Sequence, residues 1–121
     1  MIYSYKDLEV WKKAIDLVKQ IYIITRNFPK EEIYGLVNQM RRASVSIPSN
    51  IAEGKTRQYS NEYIQFLYIA LGSCAELETQ VIICNELRYI DEKTINPILE
   101  KLSEISKMLR SLIRSLRNLK P

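Results

Sequence analysis

Residues 63–84 read YIQFLYIALGSCAELETQVIIC, and within them Tyr63, Leu67, Ala70, Cys74, Leu77, Val81 and Cys84 recur at alternating steps of four and three. At about 100° per residue this alternation gathers all seven on one side of a helix, the signature of a helix buried along one seam. Ser60 stands where an N-cap is wanted and Glu62 falls in the first turn, so the spacing predicts a helix over about 60–88. Gly72, Ser73 and Ala75 thin the side chains at its middle, leaving room for another backbone to approach.

The same period runs through the rest of the chain. In a first segment Leu8, Trp11, Ile15, Val18, Tyr22 and Thr25 keep helical spacing, widened by Val10, Ala14, Leu17, Ile21, Ile24 and Phe28, which predicts a helix over about 7–27. Phe28-Pro29 ends it, because the residue before a proline is pushed out of the α region. A second helix is expected over about 31–54, with Glu31 and Glu32 complementing its positive end and Ile33, Leu36, Met40, Ile47 and Ile51 as its core stripe. Gly54 is placed to close it as a C′ residue in left-handed geometry.

Pro48 lies inside this second helix and removes the N–H that would bond the Ser44 carbonyl. Either the axis bends there, with Ser44, Ser46 and Ser49 re-satisfying freed groups, or two shorter helices meet at 46–49. A fourth helix is expected over about 91–119. Asp91 caps it, Pro97 sits near its start, and Ile95, Ile98, Leu102, Ile105, Leu109, Leu112, Leu116 and Leu119 form its seam. Four helices with short connections in a single 121-residue domain predict an all-α, up-down-up-down antiparallel four-helix bundle.

Composition narrows the function. The chain has no histidine, which removes the commonest general base, the usual metal ligand and every Ser-His or Cys-His nucleophile. Cys74 and Cys84 lie about 15 Å apart if they share one helix, beyond disulfide reach, so they are expected to be reduced and buried. Two cysteines do not supply the four N or S ligands of a structural zinc site. Glu76 and Glu78 point in different directions on their helix and make no acid/base pair. No glycine-rich phosphate loop is present. The chain reads as non-catalytic, with no metal and no cofactor. Its opening residues lack a secretory apolar core and no uncharged apolar run approaches about 18 residues, so a cytoplasmic, non-membrane protein is expected.

Two polar constellations remain. Gln39, Arg42, Ser46, Asn50 and Glu53 share one face of the second helix, with Glu76 on the third as a partner for Arg41 or Arg42. Arg42, Asn50 and Glu53 would be ligand groups if that face lined a cleft; an inter-helix or inter-subunit hydrogen-bond network of the whole set is the stronger reading. On the fourth helix Lys107, Arg110, Arg114, Arg117 and Lys120 recur every three or four residues with no acid among them. A phosphate backbone could lie along this stripe, or it could be a solvated face complementing the negative helix end. Arg41, Arg42, Lys55 and Arg57 add a second basic group around helix two. Eighteen Lys and Arg against fourteen Asp and Glu permit an acidic partner. Of the eight tyrosines, Tyr22, Tyr63 and Tyr34 fall on or beside core stripes and read as packing residues.

The order Leu8-Glu9-Val10-Trp11-Lys12-Lys13-Ala14, then Phe28-Pro29, Tyr34-Gly35-Leu36, Arg41-Arg42-Ala43 and Ser46-Ile47-Pro48-Ser49-Asn50-Ile51-Ala52-Glu53-Gly54 resembles a bacterial four-helix-bundle family. Its members are encoded in intervening sequences of 23S ribosomal RNA genes. Ala70-Leu71-Gly72-Ser73 followed by Glu76-Leu77-Glu78 continues the match over nearly the whole chain. That family is similar to the accessory variability determinant of diversity-generating retroelements, a homopentameric bundle whose basic surfaces bind nucleic acid and a reverse transcriptase. The resemblance implies a homopentameric barrel, with RNA or DNA and possible docking of a reverse transcriptase as partners. The expectation is therefore a homo-oligomeric nucleic-acid-binding accessory protein; a protein-binding scaffold for which nucleic acid is incidental is the alternative.

Overall fold

Glu9–Thr25 forms α1, Asn38–Lys55 α2, Ser60–Glu86 α3 and Glu92–Asn118 α4. The structure, a computed structural model describing residues 4–119, contains no strand among them. α1 packs on α2 and α4, and α3 packs on the same two helices, so the four close into an antiparallel ring around one core. Leu17, Ile21, Met40, Ile47, Ile51, Leu67, Leu77, Leu102, Ile105 and Leu109 are fully enclosed in it.

α3 follows its heptad reading closely: Tyr63, Leu67, Ala70, Cys74, Leu77, Val81 and Cys84 are all buried. By length and a mean hydropathy of 1.4 this helix could cross a bilayer. Here its apolar seam is spent on the bundle core. Its start differs from expectation, since Tyr59 takes the N-cap place without a side-chain bond and Ser60 is already helical.

The end of α3 carries an arginine where glycine is the usual solution. Arg88 adopts φ 64°, its N–H donates to the Asn85 carbonyl (3.0 Å), and the Tyr89 N–H donates to the Cys84 carbonyl (2.9 Å). This pair of bonds is the Schellman closure, with Arg88 at C′. An L side chain in that conformation costs about 1 kcal/mol, so Arg88→Gly is expected to stabilise the bundle by about that amount in urea unfolding.

Gly54, by contrast, is not a C′ residue: α2 continues to Lys55 and no glycine has positive φ. Its function is packing. A Cβ there would lie 2.8 Å from the Phe66 Cβ and 2.9 Å from Tyr63 Cδ1, so glycine marks where α2 and α3 come closest.

The beginning of helix two also departs from the expected 31–54 span. Lys30–Glu32 is a single 3-10 turn and Ile33–Val37 a wide turn broken at Gly35 (φ −109°, ψ −113°), so regular helix starts only at Asn38. Glu32 caps the wide turn rather than α2. Its Oε1 accepts the Leu36 N–H (3.2 Å) and its Oε2 accepts the Tyr89 hydroxyl (3.0 Å), tying this connection to the end of α3. The shift moves Ile33 and Tyr34 out of the core; Tyr34 is 92% exposed.

Pro48 leaves α2 continuous over Asn38–Lys55, which resolves the alternative of two helices. The Ser44 hydroxyl donates to the Arg41 carbonyl (2.9 Å) and Ser46 bonds Ser73, so neither hydroxyl replaces the N–H that Pro48 denies the Ser44 carbonyl. α4 starts directly after Asp91, whose carboxylate accepts the Thr94 N–H (2.9 Å), with Pro97 inside the helix.

Two stripes are rotated from their expected positions. In α1 the buried set is Val10, Ala14, Leu17, Ile21 and Thr25, while Trp11, Ile15 and Val18 are half-buried flanks and Tyr22 is exposed. In α4 the last core contact is Ile113; Leu112 and Leu116 are half-buried and Leu119 is exposed. A continuous α-helix of 3.6 residues per turn drifts against a strict seven-residue seam, which moves the buried line by one position near the end.

Both cysteines are free and buried. Burial pushes each thiol up from 9.0 to about 11, an effect the Glu32 carboxylate reinforces at Cys84 and a Ser106 hydrogen bond opposes at Cys74. At pH 8 the thiolate fraction is therefore about a hundredfold below that of a free cysteine. Iodoacetamide should label the native protein slowly and the denatured protein fast. Burial likewise raises the Tyr63 hydroxyl from 10.0 to about 12. The folded state favours the neutral form of all three groups, so their stabilisation is complete below pH 9 and is lost as pH rises through 11 to 12.

Candidate nucleic-acid interface

The second half of α4 is amphipathic because its core residues Ile105, Leu109 and Ile113 leave the opposite side to cations. Lys107, Arg110, Arg114 and Arg117 are all exposed and fall within about 80° of helix surface over about 15 Å. A B-form strand carries about four phosphates along that length. Lys120 lies outside the described residues.

The row follows the groove between α3 and α4. A depression of about 310 Å³ is lined in part by Ser106, Lys107 and Arg110, with Glu78 on its α3 side. A smaller one of about 140 Å³ lies between Tyr68 and Arg110, Arg114 and Arg117. The Arg117 Nη2 donates to the Tyr68 hydroxyl (2.6 Å), and its guanidinium lies 5.5 Å from that ring's centroid. Tyr68 thus steadies one cation and offers an aromatic face beside three. Sequence reasoning missed it. The available signal was an aromatic residue one position after the core Leu67, on a side of α3 the seam does not use.

Glu104, the nearest acid on α4, is turned to α1. It pairs with Lys13, whose ammonium holds the carboxylate below the usual range, while Lys13 is raised in turn by that bond.

The second basic group does not form one cluster. Arg41 faces α1: its Nε donates to Thr25 Oγ1 (3.0 Å), its Nη2 to the Tyr22 carbonyl (3.4 Å), and its guanidinium stacks 4.5 Å from the Tyr22 ring centroid. Arg42 is on the α3 side. Lys55 and Arg57 lie some 20 Å further along α2, at the end shared with Arg117. Lys55 sits 6.0 Å from the Tyr63 ring centroid. Arg57 is paired with Glu53 (2.8 Å) and lies over Phe66.

The polar face of α2 divides likewise. Ser46 Oγ and Ser73 Oγ are 2.8 Å apart, and Asn50 Nδ2 donates to the Ser46 carbonyl (2.8 Å) and to Ser46 Oγ (2.9 Å). This is an α2–α3 tie, with Ser73 the member the sequence did not flag. Gln39, Arg42 and Glu76 line a groove of about 320 Å³ beside it. Neither Arg41 nor Arg42 forms an ion pair with Glu76, whose carboxylate accepts a long bond from Gln80 (3.5 Å). Among the described residues no group of three or more Cys, Asp or Glu side chains is placed to hold a metal ion.

Fold and surface together define a small all-α bundle with one cationic helix face. The chain belongs to the family of 23S rRNA-intervening sequence proteins, whose pattern matches residues 6–111. It is similar to a crystal structure of a protein of unknown function from the S23 ribosomal protein family of Bacteroides thetaiotaomicron VPI-5482. The two share 27% sequence identity with a TM-score of 0.78, over 86% of this chain and 97% of that one. No curated protein matches the chain.

Proposed function

We propose that the protein is a cytoplasmic, non-catalytic, homo-oligomeric accessory protein that binds RNA or DNA through the exposed row Lys107, Arg110, Arg114 and Arg117. The observation that carries this reading is the row itself: four unpaired cations along one groove, one seated on Tyr68, with the nearest acid of their helix drawn away to Lys13. Phosphates are the ligand such a row fits, because each contact releases condensed counterions.

The outer side of α3 supports assembly with further copies. Ile69 and Leu87 are 51% and 52% exposed, Ile83 lies between them, and an added Cβ at Gly72 meets nothing within 4 Å. Apolar positions at the two ends of this face, with the exposed Glu76 between them and an open glycine beside Ile69, leave room for a second helix laid against it. Five copies would multiply the +4 net charge fivefold. Light scattering should give a multiple of the 14.2 kDa chain mass, five being the number the reading predicts; a monomer contradicts it. The same exposed apolar positions favour a second reading, a scaffold that docks a protein such as a reverse transcriptase. Partner capture that survives nuclease treatment, with no direct affinity for nucleic acid, would favour that one.

A further inference from the structure

A second cationic feature lies at the far end of the bundle from Arg117, where α1 finishes and α2 begins. A cavity of about 700 Å³ opens there between Thr25 and Arg41 on the two helices and the connecting segment 26–37. That volume is within the range of small-ligand sites. Arg26, Lys30 and Arg41 line it, and no carboxylate does. Of the two acids in the connecting segment, Glu32 is committed to the Leu36 N–H and the Tyr89 hydroxyl, and the exposed Glu31 does not line the cavity.

The cavity has one cation already fixed in place. Thr25, 3% exposed, donates its hydroxyl proton to the Ile21 carbonyl (2.7 Å), which leaves its oxygen to accept Arg41 Nε. With Tyr22 beneath its plane and the Tyr22 carbonyl on Nη2, Arg41 keeps three N–H groups open. An arginine so held loses little freedom on gripping an oxyanion. The other wall is aromatic. Phe28 packs on Tyr89 (centroids 5.4 Å), and Tyr34 stands in the opening with almost its whole side chain in solvent. The core does not use Tyr34, and the broken turn at Gly35 is what turns it outward.

We infer that this cavity binds a single 5′-phosphorylated nucleoside, its phosphate against Arg26, Lys30 and Arg41 and its base stacked on Tyr34. Three cations lining one cavity with no acid among its walls select a phosphate over a neutral ligand. An exposed aromatic ring at the rim gives any base a π face without reading its edge. The site is separate from the α4 row and does not depend on it.

Calorimetric titration of the full chain with AMP, GMP, CMP and UMP tests the assignment, with inorganic phosphate and adenosine as half-ligands. All four nucleotides should bind, with phosphate and adenosine each at least about tenfold weaker. Tyr34→Ala and Arg26→Gln should each weaken AMP about tenfold, and Lys19→Gln, a cation removed elsewhere on α1, should not. Tyr34 and Arg26 are exposed, so circular dichroism should show both variants folded. A 5′-phosphorylated RNA dodecamer that binds more tightly than both AMP and its 5′-hydroxyl counterpart would make the ligand a strand terminus. AMP binding at least as tightly as the dodecamer would make it a free nucleotide. No binding of any mononucleotide, equal affinity for AMP and inorganic phosphate, or indifference to both substitutions would overturn the assignment.

Discussion

Replacing Lys107, Arg110, Arg114 and Arg117 together by glutamine is expected to weaken binding to an RNA duplex about a thousandfold at about 0.1 M salt. Each phosphate contact contributes about 0.9 to the slope of log affinity against log salt on a duplex. Four contacts amount to a slope of about 3.6, and one decade of salt below 1 M converts that slope into about 10³ to 10⁴ in affinity. The variant should fold normally, since all four side chains are exposed and none supports the core. Filter binding over a salt series checks both numbers. A single Arg57→Gln change is a useful contrast: Glu53 already neutralises that guanidinium, so affinity should move little.

The second large effect is expected at Gly54, where Gly54→Leu should destabilise the bundle by about 3 kcal/mol. Alanine in a helix interior is normally better than glycine by about 1 kcal/mol. Here an added Cβ meets the Phe66 Cβ at 2.8 Å, Tyr63 Cδ1 at 2.9 Å and the Tyr63 carbonyl at 3.3 Å. Two of those atoms are main-chain or first side-chain atoms that no rotamer change can withdraw. The helices must separate, and overpacking of that kind costs about 1–3 kcal/mol. Even Gly54→Ala should therefore lose stability, and leucine more. Thermal unfolding with each variant measures the difference. A stability gain for alanine would mean that the close approach of α2 to α3 is wrong.

Periodicity carried the fold where one helix face is buried and the others are not. α3 could be assigned residue by residue from Tyr63 to Cys84 because its steps of four and three leave one choice of face. α1 was ambiguous for the opposite reason: apolar residues cover more than half its circumference, so spacing alone did not separate the core line Val10–Ala14–Leu17–Ile21 from the flank Trp11–Ile15–Val18. Packing against two neighbours made that choice.

The errors at helix ends share a physical cause. Gly54 has the composition of a terminator, yet α2 needs its missing side chain for contact with α3, while Arg88 tolerates a left-handed conformation because two backbone bonds close the end of α3. Propensity was overridden by tertiary contact in both cases. Glu31 and Glu32 matched the charge preference of a helix start, and the Glu32 carboxylate does cap the Leu36 N–H, but the turn it caps is wide and broken at Gly35, its other oxygen takes the Tyr89 hydroxyl, and regular helix begins only at Asn38.

The α4 row was legible because it lies on one element and obeys one period. Contacts between elements were not: Tyr68, beside the row, reaches Arg117 across 49 residues of sequence, and on the α2–α3 side Ser73 meets Ser46 across 27. The cavity around Arg41 was equally hidden, being assembled from the end of α1, the broken turn and the start of α2.

The most direct measurement is the affinity of the unmodified protein for a short RNA duplex and a DNA duplex as salt is raised from about 50 to 200 mM. Binding through the α4 row predicts a log–log slope of at least about −3.6 in magnitude per bound face, a loss of more than about a hundredfold over that range. No binding at the lowest salt, or a slope near zero, would contradict the account.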